Sequence, residues 1–170
     1  MENKEKLLES IDNKIDENKK IRNIVITSWA FSISSMILQK SCIPGMALSL
    51  PSVLSFGAAI SISVANIMIV NKNRELKNQL ETANSKKQVK EINGEVRDNV
   101  KIKNFVSTSW ALSLSKGLLQ YQLPTSLALT LGFFAATAAS SAWMKIDNKN
   151  KKLEEQYEDI ENSNQKKLVK

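Results

Sequence analysis

Histidine is missing altogether, and cysteine occurs once, at Cys42. The first absence removes the commonest general base and metal ligand. The second rules out a disulfide within one chain and any cysteine-built metal centre. Three prolines and five glycines are all that interrupt 170 residues, so helix breakers are few. No Gly-rich phosphate loop, nucleophile elbow or metal-ligand spacing is present. No catalytic residue, cofactor site, metal site or small-molecule substrate is therefore expected, and no enzyme. Met1–Lys20 is too charged to hold the apolar core of a signal peptide, so none is expected there.

Charge is absent from long stretches and crowded into the others. Ser41–Asn71 and Gly117–Met144 carry none, while the segments around them are dense in Lys, Glu and Asn. The formal net charge of +7 raises nucleic-acid binding as a possibility to test. Only the segment from Asn71 to Lys103 is clearly basic, with nine Lys/Arg against five acids, and it contains no aromatic side chain to stack on a base. No nucleic-acid partner is expected; a basic face beside anionic lipid headgroups suits the pattern better.

What is present is a duplication. Thr27-Ser28-Trp29-Ala30 returns as Thr108-Ser109-Trp110-Ala111, 81 positions later. The same offset pairs Ile11 with Ile92, Asn18 with Asn99, Ile21 with Ile102, Val25 with Val106, Ser32 with Ser113 and Gln39 with Gln120. Toward the end of each copy the offset falls to 77, pairing Ala59 with Ala136, Ile69 with Ile146, Asn73 with Asn150 and Leu76 with Leu153. A ladder of identities at one offset marks an internal repeat, and the boundaries fall at 1–84 and 85–170.

Each copy reads as a charged amphipathic helix, an apolar hairpin and a second amphipathic extension. The apolar segments are 21–38, 46–70, 102–119 and 127–144. At 1.5 Å per residue the shorter ones reach about 27 Å, against a hydrocarbon core of ~30 Å. Turns are expected at Gln39–Gly45, at Asn84-Ser85 and at Gln120–Thr125, where Pro44 and Pro124 break the helical pattern. Two features run through the helices. Ser28, Ser32, Ser35 and Gln39 share one helix face, and Ser109, Ser113, Lys116 and Gln120 repeat it. Such a stripe belongs against another helix or water, not lipid, with Lys116 expected to snorkel to the interface. A seam of three- and four-residue steps runs through Leu8, Ile11, Ile15, Asn18, Arg22, Val25, Trp29, Ser32, Met36 and Gln39. Its second copy runs through Asn99, Lys103, Val106, Trp110, Ser113 and Gly117, and the returning helices carry Asn73 and Asn150 on theirs.

The expected fold is all-α: a membrane-embedded up-down-up-down four-helix bundle of two tandem hairpin repeats, its long helices extending into the cytosol as a coiled-coil-like bundle. Lys and Arg gather at the termini and in the middle segment, which places all three in the cytoplasm. The expected role is that of a non-enzymatic multi-pass membrane protein that organises membrane or scaffolds partners, contacting lipids and either a second copy or partner coiled-coil helices. The alternative is a small ion channel lined by the Ser/Gln stripe.

Overall fold

The computed structural model describes the backbone of residues 2–40, 49–81, 85–119 and 122–168, and the side chains among them other than those of 2–4, 49, 87 and 162–168. Cys42, Gln120, Asn84 and most of the expected first turn lie outside the described residues. The described residues form four helices and no strand: α1 (Glu2–Lys40), α2 (Ser49–Glu81), α3 (Lys86–Leu119) and α4 (Thr125–Leu168).

Local chemistry explains where the helices begin and end. Ser85 caps α3, its Oγ accepting from the Gln88 amide at 3.2 Å. Pro51 sits in the first turn of α2, where its missing N–H has no helical partner to lose. At the third connection Leu119 O accepts from the amides of Gln122 and Leu123 at 2.9 and 3.0 Å, and Pro124 O receives those of Leu127 and Ala128. Helix α4 thus starts at Thr125, earlier than the apolar pattern suggests.

Each helix packs on its two sequence neighbours, and α4 closes the ring onto α1. Neighbours run antiparallel: Ser28 of α1 meets Ala58 of α2 and Ser35 meets Pro51, while Ser109 of α3 meets Ala135 of α4. The central core combines aliphatic and small side chains, Ile21, Val25, Ile62, Ala65, Ile102, Val106, Ala139 and Ala142.

The burial pattern corrects the seam on the incoming helices. Its positions at Asn18, Val25 and Ser32 are buried, but the layers between them belong to Ile21, Ser28 and Ser35, not to Arg22, Trp29 and Met36. In α3 the same one-residue displacement buries Ile102, Ser109 and Lys116 in place of Lys103 and Trp110. The cause is size. Where helices pass close together a serine or alanine fits between backbones and an indole does not. Trp29, half-buried, packs against the edge of the core, tilted at 55° against Trp143 of α4 with ring centroids 6.5 Å apart. Trp110, also expected in the seam, is 40% exposed. The α2 position that corresponds to Trp143 is Asn66, so Trp110 has no ring to pack on.

The one mismatched pair along the incoming seam, Met36 and Gly117, also has a steric reason. A Cβ on Gly117 would lie 3.3 Å from the Phe56 ring of α2, and one on Gly132 of α4 would lie 2.7 Å from Met36 Cγ. Phe56 fills the space over Gly117 between α2 and α3; Met36 fills the space over Gly132 between α1 and α4.

Three helices, α1, α2 and α4, are long and apolar enough to cross a membrane. Helix α3, expected to span at 102–119, is not among them: Lys103, Lys116 and the serines lower its apolarity.

Candidate functional site: a polar interior in two layers

The upper layer lies between the apolar segments. Ser28 and Ser109, 81 residues apart, are fully buried and donate to the carbonyls of Ala58 and Ala135, which are 77 apart, at 2.9 and 3.0 Å. Ser35 donates to Pro51 O at 2.7 Å and lies 3.0 Å from Ser55 Oγ, which itself donates to Pro51 O at 2.9 Å. Ser32 and Ser113 are buried with no hydrogen-bond partner for either hydroxyl, and Gln39, half-buried, leaves Oε1 unpartnered.

Lys116 is the group that sequence reasoning misplaces. It does not snorkel outward. Only 1% exposed, it turns inward and donates to Ser35 Oγ at 2.7 Å, across the bundle from α3 to α1. Serine 35 is its own counterpart at the offset of 81, so the two meet near the bundle axis. Gly132 makes the room: a Cβ there would lie 3.1 Å from Lys116 Nζ. Snorkelling would require the stem to leave along the helix surface, yet this residue lies on the buried side of α3, beside Ser109 and Ser113.

Around this interior the exterior is aliphatic and aromatic. Ile60, Ile67, Phe133 and Phe134 are each more than half exposed. Of the most apolar stretch of α1, α2 and α4, only 28%, 33% and 39% is buried inside the bundle. Polar groups inside and apolar groups outside is the reverse of the usual arrangement in water.

The lower layer joins the charged parts of the helices. Lys72 Nζ donates to Glu17 Oε2 at 2.8 Å and Asn18 Oδ1 at 3.3 Å. Its counterpart Lys149 donates to Asn99 Oδ1 at 2.8 Å and to Glu95 Oε1 at 3.3 Å, and Glu95 also accepts from Lys14 at 3.1 Å. Burial by itself would raise the Glu95 carboxyl, but the Lys149 and Lys14 ammonium groups outweigh it and hold it below its ordinary value. Burial lowers Lys149, with Glu95 acting against the shift.

The asparagines of this layer are not equivalent. Asn99 Nδ2 donates to Asn73 Oδ1 at 3.0 Å, linking α3 to α2. The corresponding bond between α1 and α4 would join Asn18 Nδ2 to Asn150 Oδ1, and both of those atoms are buried without a partner, as is Asn150 Nδ2. Half of a symmetric network is made and half is open.

A cleft of about 410 Å³ opens beside this layer, lined by Glu9, Asn13, Lys14, Glu17, Lys72 and Glu95 among others. Its mixed charges answer one another through the Lys14–Glu95 and Lys72–Glu17 pairs. The structure thus brings Ser28, Ser32, Ser35, Ser109, Ser113 and Lys116 into one interior, and Asn18, Asn73, Asn99 and Asn150 into a second layer. It leaves Trp110 outside both. Comparison with family models, curated proteins and solved structures gives no match to this chain.

Proposed function

We propose that this chain is a multi-pass integral membrane protein, two tandem hairpin copies forming one bundle that serves as a scaffold rather than as an enzyme. The observation that carries the reading is the inverted half: serines and a lysine inside, isoleucines and phenylalanines outside. Water would penalise that surface, while lipid accepts it, and in lipid polar side chains turn toward the bundle interior. Helix α3 crosses with Lys116, Ser109 and Ser113 turned inward and covered by its neighbours. Both termini and the middle segment then lie on one side, the cytoplasmic side by their Lys and Arg content.

The scaffold part rests on the charged half, where the network of Lys72, Lys149, Asn73 and Asn99 ties the helices together without a reactive group. Helix α4 runs to Leu168, ten residues past the position that corresponds to the end of α2 at Glu81. That overhang, about 15 Å long, is the stretch we assign to a second copy or a partner helix. The channel reading is the weaker one, because the hydroxyls of Ser28, Ser35 and Ser109 donate to carbonyls of their own chain instead of facing a shared lumen.

Alkaline carbonate extraction checks the membrane part: the protein stays with the membrane pellet, and release without detergent would remove the basis of the reading. Truncation after Glu158 checks the scaffold part. Cross-linking in the membrane should show weaker self-association or partner capture with the bundle still folded; unchanged association would exclude the overhang as the binding element.

A further inference from the structure

Two grooves on the bundle surface occupy corresponding places in the two copies and carry opposite charge. The first, of about 180 Å³, lies between Glu17 and Ile21 of α1 and the α2 residues Met68, Asn71, Lys72 and Glu75. Adding 81 to the α1 numbers and 77 to the α2 numbers converts it into the second, of about 190 Å³, between α3 and α4. Four positions keep their type: Asp98, Ile102, Asn148 and Lys149 stand for Glu17, Ile21, Asn71 and Lys72. Two do not. Lys145 stands where the first groove has Met68, and Lys152 where it has Glu75, while Lys101 also reaches the second groove.

The first groove therefore sets one lysine against two glutamates, and Lys72 is bound to Glu17 at 2.8 Å. The second sets four lysines against one aspartate. Lys149 is turned to Glu95 at 3.3 Å, and Lys101 is 3.8 Å from Asp98. Among the described residues neither Lys145 nor Lys152 has an ion pair. Lys145 is held over the Phe105 ring, 5.5 Å from its centroid. Lys145, Lys149 and Lys152 follow i, i+4, i+7 spacing and line one face of α4. Drift of a merely solvated surface would not be expected to convert two positions of one groove to the same charge while keeping four others.

Its height matters too. Lys145 is the first charge after the apolar segment that ends at Met144, and Met144 itself is 57% exposed. On the membrane reading above, on which this inference rests, the groove opens at the level of the lipid headgroups. Ammonium groups are point-charge partners for phosphate, and cationic side chains at this depth attract anionic lipid. We propose that the α3/α4 groove binds the phosphate of an anionic phospholipid headgroup, and that its counterpart between α1 and α2 does not.

The test uses the full chain in phosphatidylcholine vesicles with spin-labelled phosphatidylglycerol or spin-labelled phosphatidylcholine as the probe. The protein should immobilise the anionic probe in preference to the neutral one. The double variant Lys145→Met with Lys152→Glu, which carries the residues of the sister groove and so keeps a known packing, should lose roughly tenfold in that preference. Adding Met68→Lys and Glu75→Lys to this variant should restore it at the other groove. Preference that survives the double variant would overturn the proposal. So would displacement of the anionic probe by inorganic phosphate but not by sodium chloride of equal ionic strength, since the occupant would then be a soluble phosphate. If neither probe is immobilised, the membrane reading itself falls, an outcome separable from loss of selectivity alone.

Discussion

The same four helices solve two different problems along their length. In the half beyond Ile21, small residues and hydroxyls fill the interior, with Ala58, Ala65, Ala139, Ser28 and Ser109 all fully buried, and large apolar side chains face out. In the other half Ile11, Ile15 and Leu76 are buried and the exterior is charged. Hydrophobic burial can hold the second half together, because its apolar residues leave water on folding. It contributes less to the first, where Val25, Ile62 and Val106 are buried but Ile60, Ile67, Phe133 and Phe134 stay outside. There the helices are held by close backbone approach and by serine-to-carbonyl bonds. The difference teaches that one continuous bundle can change its cohesive force without changing its helices.

The sharpest way to break this comparison is to place the same charge on both exteriors. Ile60 is 66% exposed in the apolar-faced half, and Leu7 is 48% exposed in the charged half. In a bilayer Ile60→Lys should cost about 3 kcal/mol, while Leu7→Lys should stay within about 0.5 kcal/mol. Insertion efficiency and unfolding in bicelles measure both. Equal effects would mean that the two exteriors meet the same solvent.

A smaller effect tests the lower layer, where the two copies themselves differ. Asn73 accepts from Asn99, so Asn73→Leu strands a buried donor and should destabilise the bundle by about 1–3 kcal/mol. Asn150 is 3% exposed with both amide atoms unpartnered, so Asn150→Leu should be neutral or stabilising by about 1 kcal/mol. Denaturant unfolding of the two variants decides. Identical losses would show that the Asn18–Asn150 contact closes in solution and that the open half of the network is not a property of the protein.

These contrasts were unevenly legible in the sequence. The four helices were, because few breakers interrupt the chain and because charged and apolar blocks alternate. The returning seam was also legible in part: Ala59, Ile69, Leu76, Ala136 and Ile146 are buried where their spacing puts them. The incoming seam was misplaced by one residue at alternate layers. Ranking side chains by apolarity favours Trp29 and Met36 over Ser28 and Ser35, and close helix approach in this half reverses that ranking. The polar stripe and the buried face of α1 are in fact one face. Lys116 departs from expectation for a different reason: a lysine near a helix end ordinarily reaches outward, and this one lies on the buried side of α3. The open Asn18–Asn150 contact and the charge reversal between the grooves depend on which side chains meet across helices, and no single-helix pattern contains that.

The smallest expected effect concerns acid, and it separates the halves by their titratable groups. Glu95 is held below the ordinary carboxyl value of 4.5, with Lys149 and Lys14 overcoming the effect of burial. A depressed carboxyl contributes stability that is present above its unfolded pKa and lost as pH falls through the folded one. The charged half should therefore weaken below about pH 4.5. The apolar segments contain no Asp or Glu, so nothing in them titrates there. Hydrogen exchange should show amides around Ile92–Asn99 losing protection first on acidification, with those around Val106–Ser113 unchanged. In Glu95→Gln the lower half should start less stable and lose less with acid. If both halves open together at the same pH, or if the variant keeps the acid slope, the charge network is not what distinguishes them.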